Sequence, residues 1–267
     1  MRIGFLGGGQ MCEGIVKGLS KSHPDSSIII SELYESRCTY LRSSFPEARI
    51  TSSNSEVVEE SDVVVIAVKP QQLESALKGL GSTTNSLFIS ICAGVTLSRL
   101  ETCLSDTARV ARVMPNLAAM IGEGASGFCM NRHCNEEDAN IVKTILTSVG
   151  AVVERIPESL MDVVTGVSGS GPAFVCVLIE ALADAGVRHG LPRDTAIRLA
   201  AQTCVGAGKL VLAGGDSNHP SVIKDKVCSP GGTSIAGVAA LEQHGFRAAA
   251  MAAVTAAIER GQQLGKL

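Results

Sequence analysis

RIGFLGGGQMCEGIVKGL, residues 2–19, sets a short apolar strand (Arg2 to Leu6), three glycines (Gly7, Gly8, Gly9) and a helical run (Gln10 to Leu19) in immediate succession. Strand, glycine turn and helix come in the order a dinucleotide needs. Gly7 and Gly9 fit the first two glycines of GxGxxG, which give the tight turn and the close approach of a pyrophosphate; the third position holds Cys12, small but not glycine. Such a motif alone is a weak signal, and its continuation strengthens it. Ser27 to Ser31, Asp62 to Val68 (DVVVIAV) and Ser86 to Ile91 (SLFISI) are short continuous apolar runs separated by helical stretches, the pattern of a parallel sheet buried on both faces. The expected fold is α/β, opening with a doubly wound, nucleotide-binding sheet.

The texture changes near Pro157, which divides the chain into expected domains at 1–157 and 158–267. Beyond it every periodic stretch reads as helix: Pro172 to Val187, Pro192 to Leu212, Thr233 to Gln243 and Phe246 to Leu264. The first two open on proline, and glycine caps are expected for the first near Gly186 and Gly190 and for the second near Gly214 and Gly215. From Ala196 to Leu212 small and apolar residues occupy nearly every face, so this helix has to be buried all round. A domain this short needs a second subunit for that burial, and an obligate dimer is expected.

The 267 residues carry a formal net charge of −3, 3% aromatics and no tryptophan, which excludes the basic face and stacking aromatics of a nucleic-acid binder. The first strand begins at residue 2, and the longest apolar stretch, from Ala173, is interrupted by Glu180 and Asp184. A soluble, cytoplasmic protein without a membrane span is therefore expected. Nine cysteines, an odd number spread through strands and helices, read as reduced core residues. Cys129, His133 and Cys134 lie close together, but no second ligand cluster completes a zinc site, and no metal is expected.

A second anion site is written into DKVCSPGGTSIAGVAALEQHGFR, residues 225–247. Pro230 stops the preceding helix, Gly231 and Gly232 let backbone approach a ligand, and Thr233 and Ser234 can each act as N-cap before the apolar periodicity of Ile235, Val238, Ala239 and Leu241. Free N–H groups there would hold a small carboxylate or phosphate. Read without a ligand, the same stretch is a capped helix after a tight turn.

Four segments, GFLGGGQM at 4–11, AVKP at 67–70, GVSGSGPAF at 166–174 and SPGGTSIAGVAALEQHGFR at 229–247, together resemble the pyrroline-5-carboxylate reductase family over essentially the whole chain. The resemblance implies a Rossmann domain, a helical dimerisation domain, often a larger ring of dimers, and hydride transfer from NADH or NADPH to the C=N carbon of 1-pyrroline-5-carboxylate to give L-proline. It implies substrate contacts at Ser229, Gly231, Gly232, Thr233, Ser234 and Lys69, with the Ser234 hydroxyl as catalytic partner of the ring nitrogen. Cofactor contacts are implied at Gly7, Gly9, Gln10, Met11, Ala67, Val68, Lys69, Asn54, Ala93 and Gly94.

The choice between dinucleotides turns on Glu32, 23 residues after Gly9 and near the spacing at which an acidic residue accepts the adenosine ribose hydroxyls. A 2′-phosphate would meet a like charge, with no arginine before Arg37, so NADH is the expected donor. Four positions depart from the family pattern: Cys12 for the third glycine, Ser234 for the usual threonine, and Leu117 and Ala118 for the usual Thr-Pro after Met114-Pro115-Asn116. A reductase of the β-hydroxyacid dehydrogenase type would require a lysine on the first long C-terminal helix, where SGSGPAFVCVLIEALADAG has none. A non-catalytic nucleotide sensor is the remaining alternative, and the intact SPGGTS turn argues against it. The histidines lie at helix ends or in polar loops and read as structural or solvent-exposed.

Overall fold

The computed structural model describes residues 1–80, 85–214 and 218–265. It divides into two compact units, Met1–Ser170 with Ala257–Leu267, and Gly171–Ala256.

The first unit runs β1 (Arg2–Leu6), α1 (Gln10–Ser22), β2 (Ser27–Ser31), α2 (Glu35–Ser44), β3 (Arg49–Thr51), α3 (Asn54–Glu60), β4 (Val63–Ile66), a 3-10 turn (Pro70–Gln72) leading into α4 (Leu73–Leu77), β5 (Leu87–Ser90), α5 (Leu97–Cys103) and β6 (Arg109–Met114). A 3-10 turn (Leu117–Ile121), β7 (Ala125–Met130), α6 (Glu136–Thr147), β8 (Val152–Arg155), a 3-10 turn (Glu158–Leu160), α7 (Met161–Val164) and a π-helical turn (Thr165–Gly169) complete it. The sheet order is β3-β2-β1-β4-β5-β6-β7-β8. Its first six strands are parallel, in the doubly wound 3-2-1-4-5-6 order whose switch point lies between β1 and β4. β7 runs antiparallel to β6 and β8 parallel to β7, so the sheet is mixed where the apolar runs suggested a parallel one. The link from Pro115 to Gly124 explains the reversal, since a parallel crossover needs a dozen or more residues.

Both faces of the sheet are buried, as the uninterrupted apolar runs require. Ile3, Phe5, Val63, Val65, Leu87 and Ile89 pack with Ile15, Leu19, Val142 and Ile145 on one side. Leu6, Val64, Ile66, Phe88 and Val110 pack with Val57, Leu97 and Leu100 on the other. Cys12 is fully enclosed in the first of these clusters, so the residue in place of the third glycine fills the helix–sheet contact.

The second unit comprises α8 (Gly171–Arg188), α9 (Arg193–Leu212), α10 (Pro220–Val227), α11 (Thr233–Gln243) and the first half of α12 (Phe246–Leu264). α8 and α9 pair around Ala183, Ala196 and Ala200, its buried apolar residues. Gly186 is not a cap: it lies inside α8, where a Cβ would meet Leu191 Cδ1 at 3.2 Å and Ala196 Cβ at 3.3 Å, so its bareness serves the close approach of the two helices. Gly190, at φ +101°, makes the reversal. Gly215 lies outside the described residues.

α9, apolar all round, leaves Leu199, Val205, Leu210 and Leu212 exposed within its own unit, and Val175, Val177 and Leu182 of α8 are exposed too. By length and composition the 31-residue stretch Glu158–Arg188, which holds an 18-residue window of mean hydropathy 1.5, is apolar enough to cross a membrane, although Glu180 and Asp184 interrupt it.

Candidate functional site

At the carboxyl edge of the sheet the glycine turn bridges its two neighbouring strands. Gly7 donates its N–H to Ser31 O at 3.0 Å, and Leu6 O accepts from Ala67 N at 2.8 Å. Gly7 has φ +96°, and a Cβ there would fall 2.9 Å from Ala67 O, so both conformation and space demand glycine. Around Gly9 the opposite holds. No heavy atom lies within 4 Å of where its Cβ would be, and it caps α1 with no side-chain hydrogen bond. The N–H groups of the first turn, at Gln10 and Met11, thus begin a helix with bare backbone in front of it, which fits the pyrophosphate of a dinucleotide.

Glu32 sits against this turn. Its Oε2 accepts from Gly8 N at 3.1 Å, and its Oε1 from Leu33 N at 2.8 Å and Tyr34 N at 2.9 Å. On the other side of the same residue, Arg37 Nε donates to Gly8 O at 2.6 Å. Arg37 Nη2 pairs with Glu13 Oε2 at 2.7 Å, Tyr40 Oη donates to Glu13 Oε1 at 2.8 Å, and the guanidinium stands 4.7 Å over the Tyr40 ring. Burial of Glu13 works against its charge, but the hydrogen bonds from Arg37 and Tyr40 outweigh that and hold the carboxyl below its usual range.

After β4, Ala67 and Val68 are half-buried and Lys69 is exposed, standing before the 3-10 turn that Pro70 opens. After β5, Cys92 Sγ donates to Val68 O at 3.2 Å, Ala93 is exposed, and Gly94 turns at φ +75°. Gly7, Gly9, Gln10, Met11, Glu32, Ala67, Val68, Lys69, Ala93 and Gly94 therefore share one edge of one sheet. Asn54 is placed differently: its Oδ1 accepts from Ser31 Oγ at 2.5 Å and its Nδ2 donates to Ala76 O at 3.0 Å, so both ends of its amide are held by protein.

The loop after β6 adds a residue that sequence reading passed over. Asn116 Oδ1 accepts from Ala125 N at 3.3 Å, and its Nδ2 donates to Ser168 O at 3.1 Å in the π-helical turn. An α-helix would offer that carbonyl the N–H of residue 172, which is proline and has none. Asn116 supplies the missing donor.

In the helical unit, the SPGGTS turn is open. Gly231 has φ +67°, Gly232 N donates to Ser229 O at 3.0 Å, and Gly232, not Thr233 or Ser234, is the N-cap of α11, without a side-chain cap. Thr233 and Ser234 occupy the first two helical positions, so the capped-helix explanation of their hydroxyls falls away. Ser234 is half-buried; Ser229, Gly231 and Thr233 are exposed.

Two family models match this chain. "Pyrroline-5-carboxylate reductase dimerisation" covers residues 158–264, and "NADP oxidoreductase coenzyme F420-dependent" covers residues 2–94. The pyrroline-5-carboxylate reductase of Synechocystis sp. is 45% identical, with 100% of this chain and 99% of the relative covered. The chain belongs to the pyrroline-5-carboxylate reductase family. A reductase of that name from Methanosarcina acetivorans is also 45% identical, over 99% of this chain and 98% of its own length.

Among solved structures, a pyrroline-5-carboxylate reductase from Coxiella burnetii superposes with a TM-score of 0.91 at 32% identity, covering 98% of this chain and 97% of that one. The Plasmodium falciparum pyrroline carboxylate reductase, solved with NADP bound, superposes with a TM-score of 0.84 at 32% identity over 99% and 98% of the two chains. The chain is thus an NAD(P)-dependent oxidoreductase of this family, with a nucleotide-binding sheet and a dimerisation region.

Proposed function

We propose that this chain reduces 1-pyrroline-5-carboxylate to L-proline, the last step of proline biosynthesis. The open start of α11 carries the reading: N–H groups of the Gly231–Ser234 turn, uncapped by any side chain, suit the ring carboxylate, with Ser229 beside them. Lys69, an exposed cation at the sheet edge, is a further substrate contact that the family resemblance implies. A reduced nicotinamide dinucleotide supplies the hydride. Gly9, Gln10 and Met11 would hold its pyrophosphate, Glu32 the adenosine ribose with Asn54 near it, and Ala67 to Lys69 the parts beyond, with Ala93 and Gly94 under the nicotinamide side. Glu32, already fixed by three backbone N–H groups, presents a carboxylate to the ribose, which favours NADH over NADPH.

Ser234 is the proposed catalytic group: its hydroxyl hydrogen-bonds the ring nitrogen of an imine that enters protonated, or donates the proton to that nitrogen. Orientation of the two reactants supplies most of the acceleration, roughly 7–11 kcal/mol in favourable cases. Removing a proton donor costs about 10² to 10⁴ in rate. Ser234→Ala should therefore lower kcat by at least about a hundredfold with little change in NADH affinity, and Ser234→Thr should retain activity. An unchanged kcat in folded Ser234→Ala would remove Ser234 from the chemistry.

The division at 157/158 and the homodimer belong to the same proposal. The dimerisation model begins at residue 158, and the exposed apolar faces of α8 and α9 suit a second copy better than a bilayer, because Glu180 and Asp184 interrupt them. A ring of such dimers is the larger assembly the family resemblance implies. Nine free cysteines accord with a cytoplasmic location.

A further inference from the structure

The coenzyme reading above rests on Glu32, yet the glycine turn touches a second carboxylate through an arginine. Gly8 donates its N–H to Glu32 and accepts Arg37 Nε on its carbonyl, so one residue holds an anion and a cation side by side at the place where the adenosine ribose would lie. Buried Cys12, beneath the turn, senses all three charges, of Arg37, Glu32 and Glu13. Arg37 is not free to turn outward. Glu13 takes Nη2, the ring of Tyr40 covers the guanidinium, and Tyr40 Oη holds the other oxygen of Glu13. The side chains of Arg37 and Glu13 are only 25% and 19% exposed.

We propose that Glu13 is a specificity-determining residue for the coenzyme: by pairing with Arg37 it cancels the cation that Gly8 anchors beside Glu32, and so withholds it from a 2′-phosphate. A 2′-phosphate brings about −1.5 to −2 charges and is recognised by a guanidinium whose charge is uncompensated. Here the arginine stands at the right turn but is already matched. Discrimination is thereby divided between Glu32, which repels the phosphate and accepts the ribose hydroxyls, and Glu13, which occupies the cation. The spacing of Glu13 and Arg37 in sequence gives no hint of this, because the pair joins two separate helices, α1 and α2.

The test is calorimetric binding of NADH and of NADPH to the full-length protein, without substrate, for wild type and variants. Glu13→Gln keeps the side chain's shape and removes its charge, so the ratio of NADPH to NADH affinity should rise about five- to tenfold, the size of one partly screened charge interaction. Tyr40→Phe should shift the ratio the same way by less. The gain should vanish in Glu13→Gln/Arg37→Gln, because it requires the released guanidinium. An unchanged ratio in a Glu13→Gln protein that melts at the wild-type temperature would overturn the proposal, as would a gain that survives loss of Arg37. A wild type that prefers NADPH would instead defeat the Glu32 reading, and the Glu13 comparison, being a change of ratio, would still decide this one.

Discussion

Cys12 shows how one residue can break a motif and keep its purpose. The third glycine of GxGxxG exists to let helix and strand pack closely, and here a buried thiol fills that contact. Burial pushes the Cys12 thiol far above its usual range, Cys129 up to about 12 and Cys134 up to about 11. In the unfolded chain such thiols titrate near 9. Between that pH and about 11 to 12 the unfolded state releases protons the folded state retains, so stability should fall as pH rises through this window. Denaturant midpoints at pH 8 and pH 10 check it, and an unchanged midpoint would contradict the burial argument. Gly7→Ala offers a sharper probe: its Cβ would strike Ala67 O in a backbone conformation alanine avoids, so dinucleotide affinity should drop at least about tenfold, as measured by calorimetry. At this scale the place of the glycines and of Glu32 at the sheet edge was legible, because it follows from position after a strand. Arg37, Glu13 and Tyr40 were not, since pairing across two helices leaves no trace in local spacing.

Among the elements, the π-helical turn before α8 depends on a side chain from 52 residues earlier. Asn116→Ala would strand the Ser168 carbonyl that Pro172 cannot serve and free the N–H of Ala125, costing about 1–3 kcal/mol. Chemical denaturation measures this, and a change below about 0.5 kcal/mol would show that water replaces the amide. The same dependence on distant partners explains which elements sequence reading found. β1, β2, β4 and β5 are unbroken apolar runs and declare themselves. β6 carries Arg112, buried between Glu158 and Asp162 from 46 and 50 residues later, so a core strand reads as a charged one. β3 is only three residues long, and α10 contains Lys224, Asp225 and Lys226. Thr233 and Ser234 looked like caps because cap preference is a residue-level rule, while Gly232 was given the position by the turn Ser229 starts.

For the whole molecule, the helical unit buries few apolar residues among those described and leaves Leu199, Leu210, Leu212 and Met251 exposed, so its stability is expected to draw on a second chain. Light scattering at micromolar concentration should give at least twice the chain mass of 27.6 kDa, and a single-chain mass in a folded sample would contradict it. Leu199→Glu with Leu210→Glu should yield dissociated, destabilised protein in the same experiment. The nucleotide-binding sheet at one end and the helical dimerisation region at the other were legible early, from the strand–glycine–helix opening and from the all-helical pattern that follows. Reduction of the cyclic imine is read out by the initial rate of NADH oxidation with 1-pyrroline-5-carboxylate as acceptor, proline being quantified in the same tube and NADPH run in parallel. One proline per NADH consumed is expected, with a higher kcat/KM for NADH than for NADPH. A folded protein that binds nucleotide and forms no proline with either donor would contradict it.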